Sequence, residues 1–281
     1  MSSNFKEKNE LTDLEGLRDV IADYQEVSAI RMRKVKISVL ENRDYLTDLN
    51  NVYQEAMASY MYYLKRVKKD LSQKKAKSDK SVLILMSSNT GLYGPVIRDT
   101  FDLFVKDVQA NPEADVVIAG KLGKNWMDDL KLGREYTFID MQDSKNEEYF
   151  RKLLSIVLDY GTVIVYHGFF ESVLNQRPQK TYITGESLPQ GEGKTSPLYL
   201  FEPSVEEVLD FFEKQIFGIL FEQALYESSL SKYASRMISL EASTKRIDDM
   251  LKKMALVERK RKFDKLNRAQ QSLLSARSLW G

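Results

Sequence analysis

There is no cysteine among the 281 residues. That excludes disulfides, thiol nucleophiles and cysteine-ligated metals, and it suits a cytosolic protein. There is one histidine, His167, which alone cannot make a metal site. Charge of either sign is not in excess: 42 basic against 41 acidic residues gives a net charge of +1. A global attraction to nucleic acid or to an anionic membrane is thereby excluded, and any such case must rest on local clusters. No stretch approaches twenty apolar residues, so no helix is expected to span a membrane. The first ten residues, Met1 to Glu10, are polar and lack the apolar centre of a secretion signal. Proline is rare, with six in all, and two long stretches hold none.

The longer of these stretches runs from about Val205 to Trp280, with Gly218 as its one internal glycine. Taken in steps of three and four residues, Leu209, Phe212, Ile216, Ile219, Gln223, Tyr226, Leu230, Tyr233, Met237, Leu240, Thr244, Ile247, Leu251 and Met254 fall on one seam. All but Gln223 and Thr244 are apolar or aromatic, which is the pattern of a coiled coil. At 1.5 Å per residue the stretch would span roughly 110 Å, more than a domain of this size is wide. Such a helix needs a partner to cover its seam, because isolated helices draw most of their stability from packing. Past Met254 the seam thins. The basic run Arg259, Lys260, Arg261 and Lys262 interrupts it, and it resumes in a shifted register at Phe263, Leu266, Leu273 and Trp280.

The partner is expected at the other end of the chain. From about Leu11 to Leu71 there is no proline and one glycine, Gly16. Leu46, Leu49, Tyr53, Ala56, Tyr60, Tyr63 and Val67 form a second seam, preceded by a weaker run of Leu14, Leu17, Ile21 and Tyr24. A basic patch, Arg31, Arg33, Lys34 and Lys36, lies between them. Thr12 or Asp13 is a candidate helix cap, with Glu15 placed to complete a capping box on Thr12. The lysine-rich run from Lys65 to Lys80 reads as a solvated helix end and linker rather than a nucleic-acid patch.

Between the helices the period changes. Val82 to Met86 is a short apolar run that reads as a buried strand. Helical patterns follow at about Val96 to Gln109 and Glu147 to Leu158. Further strands are expected at Val116 to Ala119, Tyr136 to Met141 and Thr162 to Tyr166, with candidates at Lys180 to Thr184 and Pro197 to Phe201 around a glycine-rich loop from Gly185 to Ser196. Strands alternating with helices argue an α/β domain with a mostly parallel sheet. The expected architecture is an α/β domain, 81–201, inserted between two long terminal helices, 11–71 and 205–280, that form an antiparallel coiled coil.

Chemical motifs are weak. Ser87-Ser88-Asn89-Thr90-Gly91-Leu92-Tyr93-Gly94 follows a strand and precedes a helix, the position of a phosphate-binding loop. It lacks the Lys-Ser/Thr pair of a Walker loop and the three glycines of a dinucleotide fingerprint, so it reads as a tight turn. Asp115, Asp128, Asp129 and Asp140 lie near strand ends without a nucleophile or a histidine beside them, and read as solvated loop acids. His167, flanked by Gly168, Phe169 and Phe170, reads as packed or hydrogen-bonded. Tyr60, Tyr62 and Tyr63 read as helix-packing surface, not a base-stacking platform.

The order of segments resembles the gamma subunit, or central stalk, of rotary F-type ATP synthases. The residues that carry the resemblance are strongest late in the chain. Tyr199-Leu200-Phe201-Glu202-Pro203-Ser204, then Glu206-Glu207-Val208-Leu209, is similar to the strand that leads into the family's last helix. Ala224-Leu225-Tyr226-Glu227-Ser228 and Ala234-Ser235-Arg236-Met237 match a small-residue-rich helix carrying an Arg-Met pair. Met86 to Gly94 is similar to the family's Thr-Ser-Asp-Arg/Lys-Gly-Leu-Cys-Gly-Gly, with Asn89 and Thr90 for the aspartate and basic residue, Tyr93 for the cysteine and Pro95 for the last glycine. Tyr24-Gln25-Glu26-Val27-Ser28 is the nearest echo of the family's amino-terminal motif. The carboxy-terminal segment that meets the catalytic subunits falls, without gaps, on Glu258 to Phe263.

The resemblance implies a non-catalytic rotor subunit, present in one copy per complex, with no cofactor and no nucleic acid partner. It implies that the coiled coil penetrates a hexamer of alpha and beta subunits. The α/β domain would remain outside, against an epsilon-like subunit and a membrane rotor ring on the cytoplasmic side of the cell membrane. Arg31, Arg33, Lys34, Lys36, Arg259, Lys260, Arg261, Lys262 and Phe263 are then the candidates for contact with the ring of catalytic subunits. The alternatives are a coiled-coil adaptor whose α/β domain binds a partner outside any rotary complex, and an α/β enzyme with helical arms, which the lack of a catalytic constellation disfavours.

Overall fold

A computed structural model of the chain describes residues 2–67, 80–141, 146–157, 160–183, 202 and 204–278. Ten elements follow in order: α1 (Ser2–Val67), β1 (Ser81–Met86), α2 (Val96–Ala110), β2 (Asp115–Ala119), α3 (Lys121–Leu130), β3 (Thr137–Ile139), α4 (Asn146–Val157), β4 (Thr162–Phe170), β5 (Gln176–Tyr182) and α5 (Val205–Ser278). Helix α1 begins at Ser2, so Thr12 and Asp13 lie within it and cap nothing. The linker lysines from Lys68 to Lys77, the loop from Gly185 to Ser196, the strand candidate Pro197 to Phe201 and Trp280 lie outside the described residues. Two compact units divide the chain, one of residues 29–236 and one of residues 1–28 with 237–281.

The larger unit is built on a five-stranded sheet of order β3-β2-β1-β4-β5. The first four strands are parallel, with Ile84 of the central β1 beside Val117 of β2 and Val165 of β4. Strand β5 closes the sheet antiparallel to β4. Five consecutive residues of β1, Val82 to Met86, are buried, because both faces of the sheet are covered by helices. On one face Val82, Ile84, Val117, Val163 and Val165 pack with Leu153 and Val157 of α4 and with Phe221 and Ala224 of α5. On the other, Leu83, Leu85, Ile118 and Tyr166 pack with Phe101, Phe104 and Val108 of α2 and Met127 of α3.

Helix α5 therefore has two partners within this unit. Phe212 and Ile216 meet Leu46, Leu49, Tyr53 and Ala56 of α1, where the Tyr53 and Phe212 rings stand edge to face with centroids 6.2 Å apart. Ten residues up α1 toward its start, Arg43 pairs with Glu227, fifteen residues further along α5, so the two helices run antiparallel. The sheet takes a different stripe, Phe217, Leu220, Phe221, Ala224 and Leu225, none of which is on the sequence-derived seam. A single three-four repeat identifies one face, and here the helix has a second.

Helix α3 and strands β4 and β5 differ from the sequence reading, and β4 runs on to Phe170, past the expected Tyr166. Helix α3 has no apolar repeat long enough to announce it, yet Gly120 opens it at φ +100°, where a Cβ would sit 2.6 Å from the Ser88 backbone nitrogen. Strand β5 starts four residues before the expected Lys180 and includes Pro178, which an edge strand tolerates.

In the smaller unit, α1 up to Ser28 turns Leu11, Leu14, Arg18, Ile21, Gln25 and Ser28 to its less exposed side. Leu17 and Tyr24, expected on the seam, are 49% and 52% exposed. The inward face is shifted by about a quarter of a turn and carries polar residues that hydropathy counting passes over. From Met237 onward α5 buries Leu240 and Ile247, half-buries Leu251 and Met254, and beyond Met254 is exposed through Ser275.

Candidate functional site

The seam residues separate by environment. In the larger unit Ile216, Ile219 and Leu230 are buried, while Phe212, Tyr226 and Tyr233 are half-buried. Tyr226 donates its hydroxyl to Glu222 at 2.9 Å, and burial together with that carboxylate pushes its pKa up to about 12. Tyr233 packs toward Tyr93, Val96 and Ile97 of the α/β part. Of the two polar exceptions, Gln223 donates to Glu227 at 2.8 Å and Thr244 donates to the Leu240 carbonyl at 3.1 Å. In the smaller unit Leu240 and Ile247 are buried and Met237, Leu251 and Met254 half-buried; Leu209 lies in the first turns of α5.

The candidate ring contacts are all on helix surfaces. Arg31, Arg33, Lys34 and Lys36 are exposed along α1. Arg259, Lys260, Arg261 and Lys262 are exposed along α5, and Phe263 is 64% exposed. Lys262 pairs with Glu258 at 2.8 Å one turn back and holds that carboxyl below its usual range.

The loop after β1 is tied to the start of α3. The first amides of α3 are occupied: Lys121 N–H donates to Asn89 Oδ1 at 3.0 Å, Leu122 N–H to the Ser88 carbonyl at 2.8 Å and Gly123 N–H to Ser87 Oγ at 2.8 Å. These are amides that the start of α3 would otherwise leave without a partner. Asn89 also donates to Asp140 at 2.6 Å, fastening the loop to the end of β3. Asp115 accepts from Tyr160 at 2.8 Å and Asp128 accepts from Tyr136, whose pKa is pushed to about 12 by burial and that carboxylate. Asp129 is exposed. Asp115, Asp128 and Asp140 thus serve separate local contacts. Among the described residues no group of three His, Asp or Glu side chains gathers as metal ligands.

His167 is buried in β4, not beyond its end. Its Nδ1 lies 3.1 Å from the Gly168 carbonyl, which can only accept, so Nδ1 carries the proton and Nε2 accepts from the Thr181 hydroxyl at 2.8 Å. Burial lowers its pKa to about 4, so the ring is neutral. A second polar group crosses the other side of the sheet. Tyr166 donates to Asp107 of α2 at 2.7 Å, and Lys180 of β5 approaches the same oxygen at 2.9 Å. Burial works against the Asp107 carboxylate, but these two donors outweigh it and hold its pKa down.

The densest polar cluster lies where α5 crosses the ends of β1 and β4. Glu227, 2% exposed, accepts from Arg43 of α1, with Nε at 2.9 Å, from Gln223, and from the Phe170 backbone N–H at 3.4 Å. One turn on, Ser231 faces Gly168 so closely that a Cβ there would fall on its hydroxyl and within 2.9 Å of Val96. Lys232, 8% exposed, donates to the Ser87 carbonyl at 3.0 Å. Arg236 donates to the Gly91 carbonyl at 3.1 Å and to Thr90 Oγ1 at 3.3 Å, its guanidinium 3.8 Å from the centre of the Tyr93 ring. Sequence reasoning passed over Arg43, Glu227 and Lys232 as site residues. The available signal was their spacing, since Glu227, Ser231, Lys232 and Arg236 recur at helical intervals on an otherwise small and apolar face.

The polar chemistry of these residues joins elements of the fold. A family model described as ATP synthase matches residues 8–271. The chain is 24% identical over 281 residues to the ATP synthase gamma chain of Clostridium perfringens, covering 95% of this chain and 92% of that one. It is 22% identical to that of Ruthia magnifica, covering 92% and 93%. In fold it is similar to a chain of the central stalk and c-ring of the Tetrahymena thermophila mitochondrial ATP synthase, with a TM-score of 0.54 at 15% identity over 80% of this chain and 99% of that one. It is likewise similar to a chain of the OSCP/F1/c-ring assembly of the Euglena gracilis mitochondrial ATP synthase, with a TM-score of 0.51 at 15% identity over 88% and 93%. With the family model spanning nearly the whole length and gamma chains as its full-length relatives, the chain belongs to the ATP synthase family, as a divergent gamma chain.

Proposed function

We propose that this chain is the non-catalytic central-stalk rotor of an F-type or F1-like ATPase, one copy per complex, coupling rotation to ATP synthesis or hydrolysis in a surrounding hexamer of alpha and beta subunits. The observation that carries the reading is the pair of long terminal helices, packed antiparallel where Leu46, Tyr53 and Ala56 meet Phe212 and Ile216, with an α/β domain inserted between them in the chain. A shaft that transmits torque needs two helices locked side by side. A tip that turns within a ring needs few deep apolar anchors, and α5 is exposed from Ala255 to Ser275. The exposed cations Arg31, Arg33, Lys34 and Lys36, and Arg259, Lys260, Arg261 and Lys262, suit salt-sensitive contacts with acidic loops of the ring, individually weak and able to break and reform. The α/β domain faces an epsilon-like subunit and the membrane rotor ring. Coupling is reciprocal: rotor angle biases each catalytic site, and nucleotide state biases the angle. The chain works as part of the peripheral F1 portion, on the cytoplasmic side of the cell membrane; no helix among the described residues is long and apolar enough to cross it.

Native mass spectrometry of the tagged chain at its endogenous level tests this. The expected species holds one copy of this chain with three copies each of two larger nucleotide-binding chains. A symmetric homo-oligomer without them would sink the rotor reading and leave a coiled-coil adaptor.

A further inference from the structure

In a rotor of this design the α/β domain and the helices must turn as one body, and the contact between them must resist sliding. Apolar packing does this poorly. The Phe221 and Ala224 stripe on the sheet is held by burial, which is non-directional and changes little when a helix shifts by one residue's rise, about 1.5 Å. Hydrogen bonds are lost over that distance, because they weaken steeply outside a narrow range of length and angle. The residues that would hold the register are the polar ones where α5 passes the ends of β1 and β4.

We propose that Glu227, Lys232 and Arg236 form a keyed joint that fixes the α/β domain to the shaft and carries torque across it. The inference rests on the rotor reading above and names the positioning residues within it. All three lie in the same compact unit as the groups they grip. Glu227 is the only described carboxylate that receives donors from α1, α5 and β4 together, through Arg43, Gln223 and the Phe170 amide. Arg43 also lies over the Phe169 ring at 5.4 Å, with Arg177 of β5 over the same ring at 4.9 Å. Lys232 holds the carbonyl at the end of β1, and Arg236 holds the turn that follows it by two hydrogen bonds and the Tyr93 ring. Gly168 lets α5 close onto β4 between them. The joint spans three successive turns of α5 and engages the carboxyl ends of two adjacent central strands. It therefore opposes both sliding along the helix and rotation about it.

The complex is purified through this chain and reconstituted into phosphatidylcholine vesicles, with ATP hydrolysis and ATP-driven proton and sodium uptake measured together. Lys232→Met with Arg236→Met is expected to leave assembly and hydrolysis in place while ion uptake per ATP falls about tenfold or more, since each charge-assisted bond removed carries about tenfold weight. Arg236→Lys, which keeps a cationic donor for the Gly91 carbonyl, is expected to retain most of the uptake. Unchanged uptake per ATP in an assembled double variant overturns the joint, as does a loss of hydrolysis and uptake in equal proportion. If the double variant does not assemble, Arg236→Met alone decides the matter by the same ratio, since it removes only a partly exposed cation. Failure of the unaltered chain to bring down nucleotide-binding subunits refutes the rotor reading itself, a result distinct from intact coupling in the variants.

Discussion

His167 makes the stability of this protein depend on pH in a window that the structure defines. The ring is buried in β4 with both nitrogens engaged, and burial lowers its pKa to about 4 from an ordinary value of 6.5. In the unfolded chain it takes up a proton below pH 6.5, and in the folded protein it does not until about pH 4. The unfolded state then binds more protons throughout that interval, so stability is full above pH 6.5 and declines as pH falls toward 4. The loss from this one group is on the order of 2 kcal/mol between pH 7 and pH 5, and on the order of 3 kcal/mol by pH 4. Because His167 is the one histidine in the chain, no other imidazole contributes to that slope. Urea unfolding of the full chain at pH 7, 6, 5 and 4.5 measures it, with His167→Gln as the comparison. The variant is expected to be less stable at pH 7 by about 1 kcal/mol, having exchanged two fitted hydrogen bonds for poorer ones. Its stability is expected to change less between pH 7 and pH 5 than that of the unaltered chain, by about 2 kcal/mol. Parallel curves for the two proteins would refute the assignment of a buried, neutral His167.

Gly168→Ala puts a methyl group onto Ser231 and Val96, and is expected to destabilise by about 1–3 kcal/mol, with Ser231→Gly in the same chain recovering part of the loss in a thermal melt. Phe221→Ala empties a fully buried site between the sheet and α5, with an expected loss of about 3–5 kcal/mol by denaturant unfolding. Ile247→Asp with Leu251→Asp places a charge on one buried and one half-buried position of α5, and is expected to uncouple or disassemble the complex. Native mass spectrometry and the ratio of transport to hydrolysis report it, and unchanged values in both would remove the case for a functional seam.

What the sequence by itself determined is the type and order of the large elements. Two proline-free stretches with three-four repeats read as long helices, and the continuous apolar run Val82 to Met86 reads as a buried strand, as the structure has them. The lack of a Walker lysine and of the dinucleotide glycines after β1 was equally legible. So was the tight turn at Ser87 to Gly94, from the glycines and small polar residues that the structure finds bonded to α3. What the tertiary structure decided is which of several apolar stripes is used. Along α1, Leu17 and Tyr24 are as hydrophobic as Leu14 and Ile21, yet they face outward while Arg18, Gln25 and Ser28 lie on the less exposed side. Periodicity gives a helix its apolar faces but not the azimuth of its neighbour. Along α5 the sheet claims Phe217, Phe221 and Ala224, a stripe that a search for one seam discards. Helix α3 is seated where Gly123 fits against Leu85 and Ser87, a fit between segments 36 residues apart that no local window contains. The polar joint of Glu227, Lys232 and Arg236 was hidden for the same reason. In sequence these are three charged residues on a long helix, the ordinary composition of a solvated face. Only the crossing of α5 over the ends of β1 and β4 buries Glu227 and Lys232 and gives all three charged side chains their partners.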